Sequence, residues 1–398
     1  MNKEESLALY EQGRKAWNAW AERMLAERTY FKERGEWAKE RDTWIRTTNA
    51  IFFNHTFEEI ADFNDFVFPG AANFHKVQFF KDAQFVSATF SGNAAFDNTT
   101  FSTSAWFIDV EFSGIVSFNQ TKFLEDALFH GAKFSAAASF FDVNFDTVAT
   151  FRRAFFADQT IFDFSKFQKQ ANFVAINSES HFRLEHTKFS QVPDFEQAHF
   201  VEAPRLDIAR IPRSRRLPIS KQRDDTGKWR ALKRLAVQAH DHEREQKFFA
   251  EEIKAQRGVR DRAFPNLRNL FHKEKAVWPG GTRYWAGWFY QVFSNFGRSM
   301  MLPILWWCAS TFAFALIYKS NQITDCDPWA SALYLSVRKG LIFAGLADTE
   351  KLRLTYECLY GDGVFPDAVA YAGLGQTLFS TALIFLFLLA VRNHFRIK

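Results

Sequence analysis

Phenylalanine recurs along this chain with a period of eleven residues. From Phe52 to Phe200 the aromatic returns after alternating gaps of five and six residues, and Ser178, Leu184 and Leu206 keep the register where it is replaced. A small or β-branched residue stands two positions before most of these phenylalanines. A fixed period of this length, kept over about 155 residues, predicts a stacked solenoid and not a closed globular core.

An eleven-residue period also occurs in right-handed helical supercoils, so a helical fold is the alternative. A helix needs apolar residues at i, i+3, i+4 and i+7, whereas here single phenylalanines are separated by Ser, Thr, Asn, Asp and Gly. Stretches such as Ser91-Gly92-Asn93 and Asp97-Asn98 are typical of turns. The composition therefore predicts short strands, each with one large and one small inward residue, separated by turns.

The spacing of phenylalanine and small residue resembles the pentapeptide-repeat family over about residues 50 to 206. The phenylalanines that form the centre of the predicted core ladder are Phe74, Phe79, Phe85, Phe90, Phe96, Phe101, Phe107, Phe112, Phe118, Phe123, Phe129 and Phe134. The small residues that precede them include Ala72, Val77, Ala83 and Ala88. The resemblance implies a β-solenoid, a right-handed quadrilateral β-helix in which both series point inward.

Every second spacing between successive phenylalanines is six residues, which departs from a strict five-residue repeat. This pattern is similar to a Phe-rich branch of that family with eleven-residue units. If four faces close one coil, the chain forms about seven coils, but a three-faced coil satisfies the same pattern. We interpret the phenylalanines as core and not as a ligand-binding surface, because burying each one contributes roughly 1.5 to 3 kcal/mol.

The composition divides the chain into four segments. They are an α-helical N-terminal cap (1–48), the β-helix (49–206), a basic helical connector (207–283) and a membrane domain (284–398). The connector holds 20 Lys and Arg against 10 Asp and Glu, whereas residues 50–206 hold 11 against 19. A basic excess beside a membrane is typical of an electrostatic anchor on the cytoplasmic side. The family resemblance implies that an acidic repeat can imitate DNA and bind topoisomerases, but a membrane tether argues against that role. Nucleic acid is not an expected partner, because the basic connector is better explained as a membrane anchor.

Two uncharged runs in the last segment are long enough to cross about 30 Å of hydrocarbon. They cover residues 299–318 and 368–391, and both are predicted to be transmembrane helices. Residues 284–297 are rich in aromatic side chains, as is typical of a helix that lies in the membrane interface. Basic residues flank the outer ends of both spans, so both termini and the solenoid are predicted to be cytoplasmic. The expected location is a bacterial inner membrane.

The loop between the spans contains an apolar run, residues 329–347, with Arg338 and Lys339 near its centre. An Arg–Lys pair is costly in the middle of a lipid bilayer, so a third full span is not expected. A helix that enters the membrane part-way and returns is compatible with the run, provided that it is buried in protein or lines water.

The order and length of these elements, two spans with a short helix between them, resemble the pore domains of two-transmembrane ion channels. The resemblance implies an oligomer, with a tetramer favoured, because two helices from one chain cannot enclose a pore. The chain has no Thr-Val-Gly-Tyr-Gly filter; the nearest stretch contains Gly345 and Asp348. Arg338 and Lys339 would favour anions in such a pore, or could sit at the outer headgroups.

Four side chains of the second span are strong hydrogen-bonding groups: Gln376, Thr377, Ser380 and Thr381. They lie within about one and a half helical turns of each other, so they are candidates for a pore wall or for a contact between helices.

Two of the three cysteines, Cys326 and Cys358, fall in the loop that is predicted to face the oxidising side of the membrane. Exposed thiol pairs are oxidised in the bacterial periplasm, whereas the cytoplasm keeps them reduced. We predict a disulfide between these two residues.

No common nucleotide-binding, hydrolase or Cys-x-x-Cys motif occurs in the chain, so no enzymatic activity, cofactor or metal site is expected. Two functions remain. The first is an oligomeric, ion-channel-like pore with a cytoplasmic solenoid as sensor or gating module. The second is a non-conducting membrane anchor that holds a rigid interaction scaffold. Both predict the lipid bilayer and an unidentified protein as partners.

Overall fold

The computed structural model describes residues 1–206, 209–212, 225–259, 282–324, 328–341, 349–361 and 366–395. The chain divides into two units, Met1–Gln256 and Arg257–Lys398. The first unit contains a parallel β-solenoid of about seven turns with helices at both ends, and the described part of the second unit is helical.

The strands of the solenoid are two residues long and form four parallel sheets. The first sheet contains β1 (Ala50–Ile51), β5 (Ala72–Asn73), β9 (Ala94–Ala95), β13 (Val116–Ser117), β17 (Ala138–Ser139), β21 (Thr160–Ile161) and β25 (Phe182–Arg183). The second contains β2 (Thr56–Phe57), β6 (Gln78–Phe79), β10 (Thr100–Phe101), β14 (Lys122–Phe123), β18 (Asn144–Phe145), β22 (Lys166–Phe167) and β26 (Lys188–Phe189). The third contains β3 (Ala61–Asp62), β7 (Ala83–Gln84), β11 (Ala105–Trp106), β15 (Ala127–Leu128), β19 (Ala149–Thr150) and β23 (Ala171–Asn172). The fourth contains β4 (Val67–Phe68), β8 (Thr89–Phe90), β12 (Glu111–Phe112), β16 (Lys133–Phe134), β20 (Phe155–Phe156), β24 (Asn177–Ser178) and β27 (His199–Phe200).

Each strand pairs in parallel with the strand one coil later, as Ala50 pairs with Ala72 and Ala72 with Ala94. One coil therefore takes 22 residues and contributes one strand to each of the four sheets. The prediction of a parallel β-solenoid is confirmed, and the helical alternative does not apply to these residues. The right-handed sense and the quadrilateral cross-section stay predictions.

Phenylalanines from successive coils stack face to face inside the solenoid. The rings of Phe85 and Phe129 each lie 4.8 Å from the ring of Phe107, with interplanar angles of 3°. Neighbouring ladders meet edge to face, as Phe96 and Phe107 do at 5.4 Å and 86°. Both arrangements are favoured by the quadrupoles of aromatic rings. All twelve phenylalanines of the expected ladder centre are buried.

The alternating gaps of five and six residues correspond to two kinds of corner. In each five-residue gap the chain makes a tight turn, as where His55 N–H donates to Phe52 O at 3.1 Å and Asn54 adopts a φ of 52°. A positive φ at the third residue is a property of such turns. Within residues 52–206, positive φ recurs every eleven residues and only in the five-residue gaps, at Asn54, Asp65, Lys76, Ser87, Asn98, Asp109, Gln120, Gly131, Asp142, Arg153, Phe164, Ala175, His186 and Gln197. Each eleven-residue unit thus contains two corners: a five-residue corner with a positive φ and a six-residue corner without one.

Threonine and serine replace alanine at some inward positions without leaving a buried hydroxyl unpaired. Thr99 Oγ1 donates to Phe74 O at 2.6 Å, and Thr121 Oγ1 donates to Phe96 O at 2.7 Å. Both threonines are fully buried. Because an unpaired buried hydroxyl is costly, these bonds explain how a polar residue is tolerated inside the ladders.

Helices cover the first coil of the solenoid. They are α1 (Lys3–Glu11), α2 (Arg14–Glu33) and α3 (Trp37–Thr48). Trp17 is fully buried, and its ring lies 5.4 Å from Phe66 and 5.3 Å from Phe68. Its Nε1 donates to Val67 O at 2.8 Å. The indole therefore closes the ladders and satisfies a carbonyl of the end coil, which protects an otherwise open edge.

Two helices from the predicted connector lie at the other end of the solenoid. They are α4 (Thr226–Gln238) and α5 (His242–Val259). Trp229, Leu232 and Phe248 join the same hydrophobic core as the phenylalanine ladders, and Gln238 Nε2 donates to Phe200 O at 2.8 Å. These two helices of the predicted connector thus cap the last coil, as expected of helices that flank a solenoid.

The helices of the second unit are α6 (Thr282–Ser294), α7 (Met301–Ser320), α8 (Pro328–Gly340), α9 (Thr349–Tyr360) and α10 (Asp367–Phe395).

We expect Phe107→Ala to lower the free energy of unfolding of the solenoid by about 3 to 5 kcal/mol, because the cavity cannot close without shifting two neighbouring coils. Phe80→Ala is the matched control, because Phe80 is 51% exposed and its loss should cost less than about 0.5 kcal/mol. Denaturant-dependent hydrogen exchange of the full chain measures both changes. Equal losses in the two variants would contradict the core role of Phe107.

Candidate functional site

Two helices of the second unit, α7 and α10, are long and apolar enough to cross a membrane by length and composition. They coincide with the predicted spans and extend beyond them to Ser320 and Phe395. Only 22% of the 18-residue apolar stretch of α7 and 28% of that of α10 are buried within the chain. Such extended apolar surface requires either lipid or another protein surface to cover it.

The short helix α8 runs antiparallel to α7 and ends alongside it. At its beginning, Lys319 Nζ lies 3.9 Å from the centre of the Trp329 ring. Further along, Ser336 Oγ donates to Thr311 O at 2.6 Å, and Trp307 Nε1 donates to Gly340 O at 3.1 Å. Trp307 lies about 20 Å along α7 from its last residue, given the rise of an α-helix. The helical part of the predicted re-entrant run therefore ends part-way along the first apolar helix.

The amide of Gln376 is the centre of a buried hydrogen-bond network. Its Nε2 donates to Ser336 O at 2.8 Å and to Ser336 Oγ at 2.7 Å. Tyr318 Oη donates to Gln376 Oε1 at 2.7 Å, and Tyr360 Oη donates to Tyr318 O at 3.0 Å. The network joins α7, α8, α9 and α10. Since buried polar groups need partners in an apolar environment, it fixes α8 between the two long helices.

Two of the other three polar candidates of α10 also turn toward the chain itself. Thr377 Oγ1 bonds to Gly373 O at 2.9 Å and Lys339 O at 3.2 Å. Ser380 is fully buried, and its hydroxyl has no hydrogen-bond partner in the part of the chain that the structure describes. Thr381 is exposed and donates to Thr377 O of its own helix at 2.6 Å. The structure thus separates Thr381 from the residues that form contacts between helices.

The cations of α8 reach toward the end of the bundle where α7 finishes. The aliphatic stem of Lys339 crosses Gly373, where an added Cβ would lie 3.6 Å from Lys339 Cε and 3.7 Å from Tyr318 Oη. Burial raises the pKa of the Tyr356 hydroxyl on α9, and the positive charge of Arg338 opposes this shift. The Lys339 side chain therefore extends toward Tyr318 near the end of α7 and away from the depth of Gly340, as long basic side chains do when they snorkel.

The aromatic helix α6 lies against both long helices through one face. Phe293 packs against Phe379 of α10 at 5.3 Å and against Trp306 of α7 at 4.9 Å. Its other face carries Trp285 and Trp288, which are 53% and 44% exposed. This division of aromatic side chains suits the predicted position in a membrane interface.

Three predicted site residues lie outside the described residues: Gly345, Asp348 and Cys326. The structure gives Cys358 as disulfide-bonded and Cys308 as a free thiol. The pairing of Cys358 with Cys326 stays a prediction, as does the contribution of Gly345 and Asp348 to a pore.

Residues 96–144, in the middle of the solenoid, match the family model described as pentapeptide repeats (9 copies). The middle of the β-solenoid therefore consists of pentapeptide repeats. No curated protein and no solved structure was found to match the chain. The family match thus concerns the solenoid of the first unit and supplies no relative for the helices of the second.

The sequence pattern indicates Gln376 as a candidate residue but not its partners Tyr318 and Ser336. Tyr318 stands at the end of an apolar run, where a tyrosine is typical of a membrane interface, and Ser336 is one of two serines in α8. The available signal was that Ser336 and Gln376 are polar residues in largely apolar helices. Such residues usually form hydrogen bonds with each other, but which residues pair depends on how the helices pack.

We expect Gln376→Leu to destabilise the helices of the second unit by about 1 to 2 kcal/mol, because it removes the acceptor of Tyr318 and a donor to Ser336. Thr381→Val is the matched control, because Thr381 is exposed and bonds only within its own helix. Unfolding in mixed detergent and dodecyl sulfate micelles measures both. A loss for Thr381→Val as large as that for Gln376→Leu would contradict the network.

We expect Cys326 and Cys358 to resist a membrane-impermeant maleimide until a reductant is added, and then to react only from the periplasmic side. A Cys308→Ala background leaves these two thiols as the only targets. Mass spectrometry of the labelled peptides gives the reaction of each residue. Labelling of either one from the cytoplasmic side without reductant would contradict both the disulfide and the predicted topology.

Proposed function

We propose that several copies of this chain form an ion-channel-like pore in a membrane, with the pentapeptide-repeat solenoid as a cytoplasmic sensor or gating module. The observation that carries the proposal is the position of α8, which ends at Gly340 beside Trp307 and so within the depth of the first apolar helix. Two spans from one chain cannot enclose a pore, so the proposal requires an oligomer, and a tetramer is favoured.

The proposal includes a topology and a set of partners. Both termini and the solenoid lie in the cytoplasm and the spans cross a bacterial inner membrane, a placement supported by the basic flanks of both spans. The solenoid is a right-handed quadrilateral β-helix that binds an unidentified protein. The lipid bilayer and further copies of the chain are the other partners. No enzymatic activity, cofactor or nucleic-acid partner belongs to the proposal.

A non-conducting membrane anchor for an interaction scaffold is the second candidate function. It is supported by the direction of the polar side chains, since Gln376 and Ser380 are buried within the chain. The large hydrophobic side chains that are exposed along α10 include Tyr371, Leu378 and Phe385. An exposed face of this kind suits lipid as well as it suits a second copy.

The first experiment is the subunit count of the full chain in lipid nanodiscs, by native mass spectrometry or mass photometry. The pore proposal requires a closed ring, with four copies expected, and ion flux into proteoliposomes of the same sample. A monomer would overturn the pore and leave the anchored scaffold.

We expect the double variant Arg338→Glu and Lys339→Glu to shift the reversal potential under a salt gradient toward cation selectivity, if this pair lines the outer mouth of the pore. Arg353→Glu is the matched control for the change of charge. Arg353 lies on α9, its side chain is 76% exposed, and it pairs with Glu357 at 2.9 Å. A reversal potential that is the same in the double variant and the wild type would remove the pair from the conduction path.

A further inference from the structure

The turn between α6 and α7 contains three consecutive residues in the left-handed backbone conformation. They are Asn295 (φ 48°), Phe296 (φ 58°) and Gly297 (φ 72°). Residues other than glycine adopt this conformation singly and at a cost, because Cβ approaches the following carbonyl oxygen. Phe296 is also almost fully buried, with 2% of its surface exposed. A turn of this kind persists only where its surroundings hold it.

The end of α6 supplies the first set of contacts. Phe296 N–H donates to Tyr290 O at 3.2 Å, and the two rings meet edge to face at 5.7 Å. Gly297 N–H donates to Ser294 O at 3.0 Å and to Ser294 Oγ at 3.1 Å. Ser294 is fully buried. The backbone groups at the end of α6 are therefore satisfied only while the chain keeps its left-handed course.

The far end of α10 supplies the second set. Asn393 Nδ2 donates to Gly297 O at 3.4 Å. A Cβ on Gly297 would lie 2.6 Å from Tyr290 Oη and 2.7 Å from Asn393 Nδ2. Glycine is thus needed here both for its backbone conformation and for the close approach of two side chains. Asn393 and Gly297 are 96 residues apart in sequence.

We propose that Tyr290, Ser294, Asn295, Phe296, Gly297 and Asn393 form a clasp that holds α6 against α10, and that its release is a conformational switch. A backbone held in a disfavoured conformation has a more favourable course available as soon as the holding contact is lost. In the released state α6 moves relative to α7 and α10. Because α6 is the last helix before the first apolar span, its position sets how the preceding chain is joined to both long helices.

Hydrogen exchange of the full chain in nanodiscs tests the clasp through the amides of residues 285–299. Asn393→Ala should speed their exchange about tenfold, because a side-chain bond to the turn is lost. Gly297→Ala should speed it at least as much, because the added Cβ cannot fit. The control is Gly375→Ala on α10, where an added Cβ meets no atom within 4 Å and exchange should not change.

Asn295→Gly keeps every side chain of the clasp except that of Asn295 and removes one unfavourable left-handed residue, so it should slow exchange about threefold. This opposite direction separates a strained clasp from a turn that any substitution weakens. Exchange in Asn393→Ala equal to that of the wild type, or faster exchange in Asn295→Gly, would overturn the proposal.

The consequence for conduction rests on the proposed pore. In proteoliposomes, Asn393→Ala and Asn295→Gly should change ion flux in opposite directions, each by about threefold or more. Absence of flux in the wild type and in both variants would overturn the pore, while the exchange results would still decide the clasp. Flux that is equal in the wild type and both variants, with altered exchange, would leave the pore and overturn the clasp as its switch.

Discussion

The solenoid depends on the agreement of two distances. Parallel strands that share hydrogen bonds lie about 4.7 to 4.9 Å apart. Aromatic rings stacked along the ladders lie at nearly the same separation, 4.8 Å between Phe85 and Phe107. Backbone pairing and side-chain packing therefore favour the same spacing between coils. Neither the hydrogen bonds nor the ring contacts have to lengthen. The same geometry explains why the ends need caps, because an open end exposes both phenylalanine rings and backbone hydrogen-bonding groups. At the first coil, Trp17 packs against the end rings and donates a hydrogen bond to the Val67 carbonyl.

In the second unit the corresponding constraint is the pairing of polar groups among apolar helices. Gln376 bonds Tyr318 of α7 and Ser336 of α8, so α8 is held at a defined depth. The same requirement turns the polar face of α10 inward and leaves an apolar face outside. A polar group that holds the helices together is not available to line a lumen. For this reason the position of α8 favours a pore, while the direction of Gln376 and Ser380 favours an anchor.

The proposed clasp between α6 and α10 lies where the second unit can change conformation. The solenoid is stiffened by ladders that run through all its coils, and the long helices are joined by buried hydrogen bonds. Neither body offers an easy internal deformation, so the proposed gating requires whole elements to change position. The left-handed turn at Phe296 is the place in the second unit where the described backbone is most disfavoured, and it lies where α6 meets α7 and α10.

The sequence by itself determined the parallel solenoid, its inward phenylalanines and the two long apolar helices. Each is written in a local period or a run length, which maps onto structure without knowledge of distant neighbours. Only the tertiary structure decided which side chains of α4 and α5 cover the last coil, that the Lys339 stem turns back over Gly373, and that Asn393 contacts Gly297. These contacts join residues far apart in the chain. No periodic pattern specifies them, because they arise from the way finished elements pack against each other.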